Sequence, residues 1–155
     1  MRIRVLAVGT RMPDWVIAGV SEYGKRLPRD FQVEWVEIQP AKRQGDDRQK
    51  FRSREAETIR RQLKGNEAVI ALDVKGTLVS TEVMAECFAG YRQEGTNLAI
   101  LIGGPDGIEG ELLQSAEQRW SLGRITLPHP LVRVVLAEQL YRAWSIHARH
   151  PYHRA

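Results

Sequence analysis

Apolar residues recur along the chain with two different periods. Residues 2–8 read as a strand, and residues 31–38 (Phe31-Gln32-Val33-Glu34-Trp35-Val36-Glu37-Ile38) alternate cleanly. That alternation predicts a strand with one wet face, near a sheet edge. Residues 68–72 and 98–102 are apolar at every position, as in buried central strands of a parallel sheet, and they are expected to form its core. Helical spacing fills the gaps. Residues 13–27 place Pro13 at a first helical position, Asp14 in the first turn, and Val16, Val20, Tyr23 and Leu27 on one face. Residues 47–64 are highly charged and predict a mostly solvated helix, while residues 81–93 follow Ser80 as N-cap. Residues 130–147 form the longest and most apolar helix, which Pro151 is expected to stop. The order β-α-β-α-β-α-β-α, with a short segment near 120–127 and a last helix, predicts an α/β domain with a mainly parallel sheet. Residues 39–46 predict a flexible basic loop, and no internal repeat is visible.

At 155 residues and 17.7 kDa, with 43% hydrophobic and 27% charged residues, the chain has the size and composition of one globular domain, 1–155. No run approaches the length of a membrane span, and residues 1–6 carry no signal-peptide hydrophobic region, so the expected location is cytoplasmic without membrane association. Cys87 is the single cysteine, which excludes an internal disulfide and a structural zinc site built on several thiolates. Residues 1–118 are nearly neutral. Residues 119–155 hold six arginines against Glu138 alone, with all four histidines. Positive charge is therefore expected at the C-terminal end, and a polyanion is the first partner class it suggests.

Ligands of open parallel sheets bind beyond the carboxyl ends of the strands. Residues 98–102 exit into Gly103-Gly104-Pro105-Asp106-Gly107, where two glycines let a ligand approach the backbone. A tight turn alone would explain one of them. Neither a dinucleotide fingerprint nor a Walker motif is present. The stretch from Trp120 to Pro130 is irregular and apolar, and its backbone groups need partners. A purine edge would supply some, and a strand followed by a proline-initiated helix is an equal reading.

On the last helix, Arg133 shares a side with Ala137, Leu140 and Trp144, whereas Glu138, Arg142, Ser145 and Arg149 cluster opposite. Apolar residues reach most of the way round, as a two-fold partner helix would require. Glu138 and Arg142 also have the spacing of an ordinary helical salt bridge. Tyr152, His153 and Arg154 then form a short tail. A stacking and phosphate-gripping role suits these residue types, and a frayed basic end suits them equally. The histidine spacing does not support a metal site, since no carboxylate lies nearby to complete a shell.

The segments 101–107, 127–134, 138–146 and 150–154, together with Val8-Gly9-Thr10-Arg11-Met12-Pro13-Asp14-Trp15, closely resemble the ribosomal RNA large subunit methyltransferase H family of the SPOUT methyltransferases. The likeness extends over the whole chain and is loosest in residues 41–66. It implies an α/β fold with a C-terminal trefoil knot, an exception to the rule against threaded chains. It also implies a homodimer, S-adenosyl-L-methionine as cofactor, and methylation of N3 of a pseudouridine in the helix 69 loop of 23S rRNA on the assembled ribosome. By motif, the cofactor would meet Leu72, Gly103, Gly104 and the loop Leu122, Gly123, Arg124, Ile125, Thr126 and Leu127. His153 would accept the proton, Arg142 or Arg154 would stabilise the anion, and Tyr152 would orient the base. A non-catalytic ribosome-associated RNA-binding protein is the competing reading. A nucleotide-dependent enzyme ranks last, for want of a phosphate-binding motif.

Overall fold

A computed structural model describes residues 1–154. Five strands and five helices alternate: β1 Ile3–Val8, α1 Asp14–Gly24, β2 Val33–Ile38, α2 Arg48–Gln62, β3 Glu67–Leu78, α3 Thr81–Glu94, β4 Asn97–Ile102, α4 Gly110–Ser115, β5 Gln118–Ser121 and α5 His129–His147. All pairings are parallel, in the order β2-β1-β4-β3-β5. The alternating segment is indeed the edge strand β2. The doubly apolar segments lie inside the sheet, and β1 joins them, with all six of its residues buried.

The sheet is apolar on both faces because each is covered by helices. Leu98, Ile100 and Ile102 of β4 face α1, α3 and α5, where Phe88, Leu136 and Leu140 complete one core layer. Ala99 and Leu101, pointing the other way, meet Ala56 and Ile59 of α2 and Leu112 of α4. Helix ends follow the local chemistry. Asp47 Oδ1 accepts from the Lys50 N–H at 3.1 Å, and Ser80 Oγ accepts from the Val83 N–H at 3.1 Å.

Four features differ from the sequence expectations. Pro13 is the N-cap of α1 rather than its first helical residue, and the helix ends at Gly24, because Lys25–Leu27 turn on single carbonyl bonds. The strand expected over 68–72 runs on to Leu78. Residues 73–76 bulge out between Leu72 and Thr77, both of which sit opposite Trp120. Gly76 passes so close to β5 that a Cβ there would lie 2.7 Å from the Arg119 carbonyl oxygen. The basic loop before α2 is pinned, since Glu55 Oε2 accepts from the Ala41 N–H at 2.9 Å and from Arg43 at 2.6 Å. Finally, α5 ends before Pro151. Arg149 takes a left-handed conformation (φ 57°), its N–H reaches Ile146 O, and the His150 N–H reaches Ser145 O at 2.9 Å, a Schellman stop.

Candidate functional site

The carboxyl ends of β3, β4 and β5 open into one cleft of about 570 Å³, within the range of small-molecule sites. The β3 excursion brings Leu72, Asp73 and Val74 to one wall. The β4 exit supplies Gly103 and Gly104, held in a turn by the Gly107 N–H donating to Gly104 O at 3.0 Å. Pro105 and Gly107 occupy favourable positions of that turn. The loop after β5 supplies Leu122, Gly123, Ile125, Thr126 and Leu127. Eight of the nine positions expected at a cofactor thus line a single space. Arg124 does not; it is exposed beside the cleft. A Cβ at Gly103 would stand 2.9 Å from the Gly107 carbonyl carbon and 2.8 Å from Ile108 Cγ1, so the narrow β4 exit requires glycine there.

Sequence reasoning named neither Asp73 nor Val132, which also line the cleft, and took Trp120 and His129 only as part of the stretch Trp120–Pro130, with no role for their side chains. His129 opens α5, and its Nδ1 is buried without a partner. Burial, with the nearby guanidiniums of Arg133 and Arg43, holds the imidazole below its ordinary pKa and therefore neutral. Behind it, Arg133 is 5% exposed, donating to Gly9 O at 2.9 Å and to Glu37 at 2.9 Å. It ties α5 to the β1 and β2 exits. Arg43 similarly ties the β2 exit to the cleft wall through Asp106 at 2.9 Å. One sequence signal could have found His129: it stands between two prolines at the end of the apolar loop.

The second cluster lies further along α5. Glu138 Oε1 accepts from Arg142 Nε at 2.7 Å and from the Tyr152 hydroxyl at 3.0 Å. The Tyr152 ring meets Tyr141 edge-on at 4.6 Å and lies beneath the Arg142 guanidinium at 4.8 Å. Burial and the Glu138 carboxylate push the Tyr152 phenol up to about 12. The bond to Glu138 also raises the pKa of Arg142. Arg142 contacts His153 Nδ1 at 3.1 Å, while His153 Nε2 contacts Glu82 of α3 at 3.3 Å. An arginine can only donate, so Nδ1 accepts and the proton of the neutral ring sits on Nε2. The tail is therefore folded back on α5 through Tyr152 and His153. Arg154 is exposed. Ser145, which the sequence places on one side with Glu138, Arg142 and Arg149, is fully buried, with its hydroxyl donating to Arg142 O at 2.7 Å.

These two groups of residues do not meet within one chain. None of Arg142, Tyr152, His153 and Arg154 lines the cleft. From Val132, in the cleft wall, to Arg142 is ten residues of helix, about 15 Å along the axis.

A family model described as "Predicted SPOUT methyltransferase" matches residues 1–153. A Chromohalobacter salexigens protein named ribosomal RNA large subunit methyltransferase H is 57% identical, over 99% of this chain and 100% of its own length. Proteins of the same name from Saccharophagus degradans and a Marinomonas species are 48% and 46% identical, with the same coverage. Among solved structures, a "probable methylase family protein" from Haemophilus influenzae superposes with a TM-score of 0.60 at 13% identity, covering 99% of this chain and 70% of that one. That likeness extends to the fold.

Proposed function

The chain belongs to the SPOUT methyltransferase family, and from that premise we propose that it methylates ribosomal RNA of the large subunit. S-adenosyl-L-methionine is the donor in this reading, and N3 of a pseudouridine in the helix 69 loop of 23S rRNA, on the assembled ribosome, is the acceptor. The observation that carries the proposal is the cleft, in which three strand exits converge around a glycine pair. Its residues fit such a donor. The walls are largely apolar, the backbone is accessible at Gly103 and Gly104, and His129 offers an unpartnered buried nitrogen. A neutral imidazole also avoids placing a second positive charge beside a sulfonium. The names of the relatives support ribosomal RNA as substrate.

When bound, the donor supplies an activated methyl group. The protein's work is alignment and exclusion of water, and well-oriented reactants lower a barrier by about 7–11 kcal/mol. Leu72, Gly103, Gly104 and the loop Leu122–Leu127 hold the donor. Arg142 and Arg154 stabilise the charge that develops on the target ring as its N3 proton leaves. His153 Nδ1 takes that proton after Arg142 turns from it toward the base, and Tyr152 orients the ring. Glu138 holds Arg142 in its resting position until then.

Because the tail and the cleft stand apart along α5, the complete site is a two-chain one, in which each protomer's tail serves its partner's cleft. A homodimer is supported by α1, which packs on α5 and leaves Trp15 and Ile17 56% and 58% exposed. The trefoil knot belongs to the same proposal, supported by the loops after β4 and β5 walling one cleft with α5 packed back over α1 and α3. Mixing a Gly103→Val protein with an Arg142→Ala protein tests the whole reading. Each alone transfers no methyl group to unmethylated large ribosomal subunits, and the exchanged mixture regains activity. Failure of the mixture to do so, with both proteins folded and dimeric, would overturn the two-chain site.

A further inference from the structure

Positive charge is not confined to the C-terminal end. Residues 41–66 hold nine basic side chains against four acidic ones, and further cations stand at the other strand exits. Several exposed cations elsewhere are paired: Lys25 and Arg26 with Glu22, Arg61 with Glu57, Arg92 with Asp30, and Arg60 with Glu109. Others, such as Arg29, Lys50, Arg54, Lys64 and Arg149, are exposed without a carboxylate partner among the described residues, but four are set apart by their place next to the segments that form the cleft. Arg11, Lys42, Lys75 and Arg124 are exposed, and among the described residues none of their side chains has a carboxylate partner.

All four adjoin, along the chain, segments that form or brace the cleft. Arg124 lies between Gly123 and Ile125, and Lys75 follows Val74, all three neighbours being wall residues. Arg11 is two residues past Gly9, where a Cβ would stand 3.2 Å from the wall residue His129. Lys42 precedes Arg43, which is locked to Asp106 of the glycine turn. Acids are present on the same rim. Asp106 is neutralised by Arg43, Asp47 is engaged in capping α2, and Asp73 accepts from the Lys75 backbone N–H at 3.3 Å. Four exposed cations without partners, arranged around a cleft that must receive one nucleobase, match what flanks that base: the phosphates on either side. The tail cannot serve this purpose on the same chain, since it lies on the far part of α5.

We propose that Arg11, Lys42, Lys75 and Arg124 form a cationic rim that seats the RNA phosphodiester backbone on both sides of the target nucleotide, on the same chain that holds the methyl donor. This rests on the reading of the chain as an RNA methyltransferase, and it moves Arg124 from the donor's contacts to the RNA's. Each phosphate released from its counterions contributes about 0.7 to the slope of log affinity against log salt for a single-stranded segment.

The test combines the triple variant Arg11→Gln/Lys42→Gln/Lys75→Gln with the single variant Arg124→Gln, assayed on unmethylated large ribosomal subunits at several salt concentrations and constant magnesium. For the triple variant the KM for subunits rises at least tenfold and the salt slope falls by about 2, while the donor dissociation constant measured by calorimetry stays unchanged. Arg124→Gln shifts both RNA quantities in the same direction by a smaller amount. The charge-keeping set Arg11→Lys/Lys42→Arg/Lys75→Arg restores the wild-type slope. An unchanged KM and slope, with wild-type protein active on the same subunits, would overturn the rim. So would a raised KM with an unaltered slope, because the side chains would then not be meeting phosphates. For Arg124, weaker donor binding with an unchanged slope would return it to the donor pocket. Inactivity of the wild-type protein on these subunits would instead strike the proposed function.

Discussion

The cleft and the C-terminal cluster are built in opposite ways. The cleft is made of backbone turns and apolar walls at three strand exits, where the sheet itself fixes each position. The cluster is a mesh of side chains, Glu138, Arg142, Tyr152, His153 and Glu82, hung on two helices and closed by hydrogen bonds. A site built from backbone fails when a Cβ is added to it. A site built from side chains fails by degrees, as each bond is removed.

That contrast can be broken first at Gly103. Gly103→Val should cost about 1–3 kcal/mol, because the new side chain meets not only Ile108 Cγ1 but also the backbone of Gly107 and Ile108, which cannot yield as a side chain does. If the whole of it falls on donor affinity this is a loss of about five- to about 150-fold, measured by calorimetry, and retained affinity would show that the glycine pair serves only the turn. The next effect is acidic. His129 is held neutral by burial and by Arg133 and Arg43, so below its ordinary pKa of about 6.5 the unfolded chain binds more protons than the folded one. Stability and donor affinity are both full above that pH and decline as the pH falls through the lowered value. His129→Gln flattens both profiles; unaltered acid profiles in that variant would refute the assignment.

The tail responds at the other end of the scale. Tyr152→Phe removes the hydroxyl bond to Glu138 and about 1 kcal/mol of stability, seen in denaturant titration, with donor binding by the chain unaffected. Since the Tyr152 phenol is raised to about 12, the wild-type protein loses stability as the pH climbs from about 10 toward that value. The Phe variant lacks this part of the alkaline slope. The smallest effect belongs to Arg149, whose left-handed backbone costs a non-glycine residue about 1 kcal/mol. Arg149→Gly should raise the unfolding free energy by up to that amount, and a destabilised variant would mean that the arginine side chain is itself engaged.

The strands were legible because burial on both faces leaves no polar residue in residues 98–102, while partial burial intersperses polar Gln32, Glu34 and Glu37 among the apolar residues of 31–38. Those signals are local. The second half of β3 was not legible. Asp73-Val74-Lys75-Gly76 reads as a turn, and only pairing with β5 makes Thr77 and Leu78 part of a strand. The three strand exits were found from the expected position of ligands in parallel sheets together with the unusual glycine pair. Asp73 and Val132 were not, since only the folded loops bring them to that space, and the His129 side chain was left without a role although its stretch was singled out. Charge was misjudged through averaging. Taken over residues 1–118, the balance is near neutral, which conceals the basic stretch 41–66 because acids elsewhere cancel it. The tail looked prone to fray because its anchors, Tyr141 and Glu82, lie eleven and seventy-one residues away from the side chains they hold.

The Schellman stop at Arg149 also sets a length. One further turn of α5 would carry its end about 5.4 Å onward along the axis and move the last residues past Tyr141. Where the helix halts is thus a ruler: under the proposed two-chain site, it determines how far from its own body one molecule can extend an imidazole and a guanidinium toward a companion.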